Sequence, residues 1–143
     1  IDTFYKERYQ VSAQTDRMGC RLDGPQIESS RGSDIISDGI ALGSIQIPAQ
    51  GTPIIMLADR QTTGGYAKIA TVASVDIPLL VQRATKQYVQ FKPVSIIEAQ
   101  RLLVAERDYY RNVRANARGR LTLEMPCIEP NDHAGEPTMP PVE

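Results

Sequence analysis
Gly43 to Pro48 alternates apolar and polar residues, the period of two that marks a half-buried strand. Ile54 to Ala58 is a continuous apolar run, the pattern of a strand buried on both faces. Ala49 to Thr52 between them predicts a turn, with Gly51 free to take positive φ. Pro53 can open the second strand, because a first residue need not donate to the ladder. The same reasoning predicts strands over Arg8–Ala13, with Tyr9, Val11 and Ala13 on one face, and over Gly19–Asp23, stopped by Gly24-Pro25. It predicts the longest strand over Ala67–Val75 and a return strand over Gln87–Lys92. Gln26–Asp38 reads as a loop, because its serines and Gly32 favour turns; Ile27, Ile35 and Ile36 would anchor it. Residues 1–6 read as a frayed start.

Two helices break the strands. Asp76 is an N-cap candidate with Pro78 in the first turn, where a missing N–H costs nothing, so Leu79–Val81 predicts a short buried helix. Ser95 and Glu98 form a capping box that starts a longer helix from Ile96 to about Ala117. Ile96, Ala99, Leu102, Leu103, Tyr110 and Val113 lie near one face of it; Arg101, Arg107, Arg111, Arg114 and Arg118 lie on the other. Leu121–Leu123 predicts a last short strand. The strand density argues for a mainly β barrel or sandwich with a short helix and a longer C-terminal helix.

Composition divides the chain. All 16 Lys and Arg precede Pro126, whereas residues 126–143 hold five prolines together with Glu129, Asp132, Glu136 and Glu143. This predicts a domain over residues 1–125 and a disordered, acidic, proline-rich tail over 126–143. The body is too weakly basic to suggest a nucleic-acid partner, and no apolar run reaches the ~20 residues of a membrane span. Cys20 and Cys127 make neither a disulfide framework nor a zinc site, so a reduced, cytoplasmic setting is expected. The single His, His133, falls in the tail. The body therefore has no Ser-His-Asp or Cys-His system and no His-based metal site, and neither Gly-rich nucleotide fingerprint occurs.

The candidate chemistry sits after the apolar run. Asp59-Arg60-Gln61-Thr62-Thr63-Gly64-Gly65-Tyr66 carries more hydrogen-bonding groups than a chain reversal needs. Gly64 and Gly65 can approach an anion closely or form a backbone nest. Thr62 and Thr63 can donate hydroxyl hydrogen bonds, and Arg60 can clamp a carboxylate through its fork. Asp59 can orient Arg60, or act as a base where burial raises its pKa. The alternative is a self-satisfied loop, with Asp59 capping its own backbone and Arg60 on the surface. Gln46, mid-strand, either holds an amide substrate at a barrel mouth or faces solvent. Arg17 either faces the same mouth or forms a local turn ion pair with Asp16, worth roughly 0–1 kcal/mol when exposed.

These motifs resemble a known family. The run Gly43–Pro48, then Gly51, Pro53 and Ala58–Tyr66, is similar to the signature of the carboxyltransferases called allophanate hydrolase subunit 2. That family includes the C subunit of 5-oxoprolinase, the carboxyltransferase region of urea carboxylase, and a bacterial antagonist of a sporulation-kinase inhibitor. The similarity takes in Tyr9–Ser12, Asp16–Pro25 and Pro93–Ser95 with Glu98-Ala99, covering residues 7–104. Ala67 stands where a Pro is usual, Cys20 where a Tyr is usual, and Thr85-Lys86-Gln87 where Pro-Gly-Asp is usual. The motifs belong to the C-terminal half of longer proteins and the chain does not begin with Met, so the resemblance implies a piece of such a protein.

The resemblance implies a cyclophilin-like β-barrel and a subunit acting on urea-like amides or 5-oxoproline. Catalytic roles would fall to Asp59 and Arg60, and substrate binding to Arg17, Gln46, Thr62, Thr63, Gly64, Gly65 and Tyr66. It implies carboxybiotin on a partner domain or ATP on a partner subunit, and no metal. The implied partners are the N-terminal half of the protein and a subunit resembling allophanate hydrolase subunit 1. Another member of the family implies a different function, a non-enzymatic module that captures a kinase inhibitor.

Overall fold
The structure is a computed structural model that describes residues 2–28 and 34–117. Its contacts divide the chain into two compact units, residues 1–108 and residues 109–143. Among the described residues every strand lies in the first unit; the short strand expected over 121–123 lies outside them. In chain order this unit contains α1 (Asp2–Lys6), β1 (Arg8–Val11), β2 (Gly19–Asp23), β3 (Asp34–Gly39), β4 (Ser44–Ile47), β5 (Ile54–Met56) and β6 (Thr63–Thr71). A 3-10 turn (Ser74–Asp76), α2 (Ile77–Val81) and β7 (Tyr88–Gln90) follow. α3 (Ile96–Asn116) begins in this unit and crosses the boundary. In the second unit the described residues are the end of α3 and Ala117, where Tyr109 and Tyr110 meet edge to face at 5.6 Å. The boundary expected at 125/126 and the tail beyond it lie outside the described residues.

The fold is mainly β. Seven antiparallel strands form one sheet in the order β3-β6-β4-β5-β2-β1-β7. The sheet is not closed: β3 and β7 are its two edges. Alternation explains the packing. Ile45 and Ile47 on β4 turn into a core shared with Tyr9, Val11, Leu22 and Ile55, while Ser44 and Gln46 turn to the opposite face. That face is also covered, so all four residues of β4 are buried.

Several elements depart from the sequence reading. β6 runs Thr63–Thr71 rather than over 67–75, Ser74 and Val75 lying in the 3-10 turn, and of the helix expected to be buried only Leu80 is, Leu79 and Val81 facing solvent. Residues 2–6 form a helix, because Phe4 stacks on Phe91 at 4.6 Å and packs against Tyr9. That anchor lies far along the chain and leaves no local pattern. Part of the expected loop is β3, which pairs with β6 through Asp38↔Gly64 and Gly39↔Thr63. Turn-forming residues are tolerated there because an edge strand has a partner on one side only. The capping box forms as expected, the Glu98 N–H donating to Ser95 Oγ at 3.1 Å. Asp76 precedes α2 but makes no side-chain cap hydrogen bond.

Candidate functional site
The polar segment is shorter as a turn than its composition suggests. Only Leu57–Thr62 connects β5 to β6; Thr63, Gly64, Gly65 and Tyr66 are strand. Thr63 pairs with Gly39, Gly64 with Asp38 and Tyr66 with Asp34. Among the described residues the glycines with positive φ are Gly43 and Gly51, so Gly64 and Gly65 have ordinary strand backbone and build no nest. Thr62 is exposed, and its carbonyl accepts the Ile40 N–H at 2.9 Å.

Gln46 is the most unusual of the candidate residues. It is 4% exposed, yet its Nε2 has no hydrogen-bond partner. A buried donor left unmade costs about 1–3 kcal/mol, so a partner is called for. The amide points at Gly64: a Cβ there would stand 3.2 Å from Gln46 Nε2 and 2.7 Å from Ile40 Cδ1. The missing side chain lets the Gln46 amide and the Ile40 methyl pack directly against the β6 backbone, a close-approach use of glycine. Lys68 lies directly across the ladder from Gln46. A bulge follows, since Ile45 pairs with Ala70 and one extra β6 residue intervenes. Lys68 Nζ donates to Asp38 Oδ2 at 2.5 Å and to Gly39 O at 2.8 Å, with its side chain 21% exposed. The Lys68 ammonium and the Gly39 N–H hold the Asp38 carboxyl below the usual carboxylate range.

Arg60 is not a free fork. Its Nε donates to Ile40 O at 3.0 Å and its Nη1 to Leu57 O at 3.3 Å. Asp59 does not orient it. Asp59 pairs with Arg17 instead, at 2.9 Å from Arg17 Nε and 3.3 Å from Nη2. Asp16 takes no part in that pair; its Oδ1 caps the N–H groups of Met18 and Gly19. The Arg17–Asp59 pair is open to solvent, with side chains 85% and 46% exposed. It adjoins a cleft of about 570 Å³ that Arg17 lines with Thr15, Leu57, Ala58 and Leu80. A second cleft, of about 580 Å³, lies elsewhere, and neither is lined by Gln46, Arg60 or Thr62–Tyr66. Cys20, buried behind the first cleft, has its thiol pushed up by burial, which removes it as a nucleophile.

The profile of the family described as "Carboxyltransferase domain, subdomain A and B" matches residues 1–93. The chain belongs to this carboxyltransferase domain family. It is 36% identical over 111 residues to the 5-oxoprolinase C subunit of Haemophilus influenzae, covering 78% of this chain and 36% of that protein. It is 33% identical over 112 residues to the 5-oxoprolinase C subunit of Escherichia coli, with the same coverage. Among solved structures, the K. lactis urea amidolyase superposes with a TM-score of 0.71 at 25% identity, over 78% of this chain and 7% of that one. The carboxyltransferase chain thus spans about a third of the length of its curated relatives.

Within this carboxyltransferase chain the candidates gather in two places. Gln46 and Gly64 lie together against the Ile40 side chain, Arg60 reaches the Ile40 carbonyl, and Arg17 meets Asp59 beside the cleft. Thr62, Thr63, Gly65 and Tyr66 continue from the first group along β6 and its lead-in. Sequence reasoning missed Lys68 and Asp38. The signal was a lysine inside the otherwise apolar run after Tyr66, which needs a partner; that partner was hidden in a segment read as loop.

The Arg60 geometry makes a prediction. Arg60→Ala strands two carbonyls that a charged donor now satisfies, so it is expected to cost about 1.5–3 kcal/mol of stability. Arg60→Lys is expected to recover less than half of that, because one ammonium cannot reproduce the fork. Urea denaturation of the two variants measures both; an Arg60→Ala variant as stable as the parent refutes the structural role.

Proposed function
We propose that this chain is the part of a carboxyltransferase-type enzyme subunit that holds a small amide or lactam. The observation that carries this reading is the buried, unpartnered amide of Gln46 beside Gly64. An N–H held in a low-dielectric setting without an acceptor is matched by a carbonyl oxygen, the group that urea, other amides and 5-oxoproline share. The names of the relatives agree with that class: a 5-oxoprolinase subunit and a urea amidolyase. The reaction is then either opening of a lactam driven by ATP or carboxyl transfer to an amide nitrogen.

The residues around Gln46 fit an acceptor amide better than the carboxylate of carboxybiotin. The neighbouring cations are already engaged, Arg60 by two carbonyls and Lys68 by Asp38. Carboxybiotin or ATP therefore belongs on partner domains: the remaining part of the subunit and a subunit resembling allophanate hydrolase subunit 1. In this reading Gln46 orients the substrate carbonyl, Gly64 lets the Gln46 amide sit close against β6, and Lys68 with Asp38 fixes the polar wall.

Nuclear magnetic resonance on the isotopically labelled chain tests the proposal. Millimolar 5-oxoproline or urea is expected to shift the Gln46 side-chain amide and the backbone signals of residues 62–66, whereas glutamate is not. Turnover is expected only after the partner polypeptides are added. Turnover by the reconstituted assembly with no shift at Gln46 sinks the assignment of the site. Absence of any turnover or shift, with tight capture of a regulatory protein, favours the binding-module reading.

A further inference from the structure
Among the described residues, two of the uncovered strand edges of the first unit border the same cleft. One is β7, which pairs with β1 alone among those residues, through Arg8↔Gln90, Tyr9↔Val89 and Gln10↔Tyr88. The Val11 N–H reaches Gln87 O at 2.9 Å, and strand alternation then turns the backbone groups of Tyr88 and Gln90 away from β1. β3 covers β6 no further than Tyr66, so the second half of β6 pairs only with β4 among the described residues. The Val72 N–H reaches Gly43 O at 2.9 Å, and the same alternation turns the N–H of Thr71 outward. Residues 70–73 line one side of the 580 Å³ cleft and residues 88–94 another.

The lining is apolar and partly exposed. Buried Ile45 is part of it, and Leu79, Tyr88 and Val94 present large apolar surfaces to solvent. Arg83 and Lys92 line the cleft against one acid, Asp76. Two free edges bordering an apolar space are what one more strand needs, since a strand requires partners for its backbone and an apolar face for alternate side chains. A small polar ligand would use neither.

We infer that this cleft is the seat of one further β-strand, supplied by carboxyltransferase polypeptide outside the third of the relatives' length that this chain spans. The strand pairs with Tyr88 and Gln90 on one side and with Thr71 on the other. It presents apolar side chains toward Ile45 and Leu79 and an acidic residue toward Arg83 and Lys92. Its insertion joins β7 to β6 and closes the open sheet. The inference rests on the fold and the family, not on the substrate reading, because Gln46, Gly64 and Lys68 do not line the cleft.

Co-expression of the full chain with the portion of the H. influenzae 5-oxoprolinase C subunit outside its matched 111 residues tests this. The two are expected to co-purify. Amide exchange at Thr71, Tyr88 and Gln90 is expected to slow by roughly tenfold or more, with no change at Ile36 on β3. Leu79→Glu and Tyr88→Glu, both at exposed positions, are expected to weaken association by roughly tenfold or more, while Ile36→Glu leaves it intact. Failure to associate overturns the inference, as does protection confined to the β3 edge. Protection of Thr71, Tyr88 and Gln90 in the chain alone, with dimer formation, also overturns it and assigns the seat to a second copy.

Discussion

Gln46→Met raises stability and lowers turnover. Met has nearly the shape of Gln and no donor to satisfy. The parent amide is 4% exposed and its Nε2 is unpartnered, so the substitution removes a burial penalty of about 1–3 kcal/mol. Some of that is already relieved by local relaxation, and a gain of about 1 kcal/mol is expected, which is a rise of roughly 2–8 °C in Tm for a domain of this size. Under the proposed role of Gln46, the same change in the reconstituted enzyme would remove a hydrogen bond to the substrate carbonyl. That costs about 1–3 kcal/mol of transition-state binding, or roughly 5- to 150-fold in kcat/KM. Opposite signs for stability and activity are the signature of a functional group held at a cost. A less stable variant with unchanged kcat/KM per folded molecule would show instead that the amide is structural, its partner being a water.

That trade-off is visible only in three dimensions. The alternation of β4 places Gln46 on the face opposite Ile45 and Ile47, and this much was legible along the chain. What covers that face was not, because Ile40 reaches it from just after β3 and Gly64 from β6. β3 itself was masked by Ser37, Asp38 and Gly39, which favour turns locally and are tolerated at an edge. The pair of glycines misled for the same reason. Gly64-Gly65 reads as a turn, yet pairing with β3 at Thr63, Gly64 and Tyr66 outweighs propensity and keeps the residues extended. Arg60 and Asp59 are neighbours in sequence and were read as partners. The first is drawn to carbonyls of Ile40 and Leu57, and the second to Arg17, 42 positions away. The strands with strong patterns, β1, β2, β4 and β5, were placed correctly, although β1 and β5 end two residues early and β4 is buried on both faces where its alternation predicts one.

Gly43→Ala is expected to be the most destabilising small substitution in the sheet. Gly43 has φ +81°, where an L side chain costs about 1–2 kcal/mol. Space is also lacking. A Cβ would stand 3.0 Å from the backbone oxygen of Val72 and 3.1 Å from Ile77 Cδ1. The Ile77 methyl can move, but the Val72 oxygen belongs to the backbone and cannot swing aside. Gly43 also ties two strands together, its N–H donating to Met56 O at 2.7 Å and its carbonyl accepting from Val72 at 2.9 Å. Overpacking adds about 1–3 kcal/mol, so a total of about 2–5 kcal/mol is expected from urea denaturation. Gly39→Ala is the control. A Cβ there meets nothing within 4 Å, and its φ is not positive, so the change is expected to be neutral or to stabilise by up to about 1 kcal/mol. Gly43 lies three residues before Gln46 on the same run of chain, so the damage should reach the candidate site. The Gln46 side-chain signal is expected to shift or broaden in Gly43→Ala and to stay in place in Gly39→Ala. Equal stabilities for the two variants would show that the start of β4 can relax, and that the position of the Gln46 amide does not depend on the Gly43 backbone.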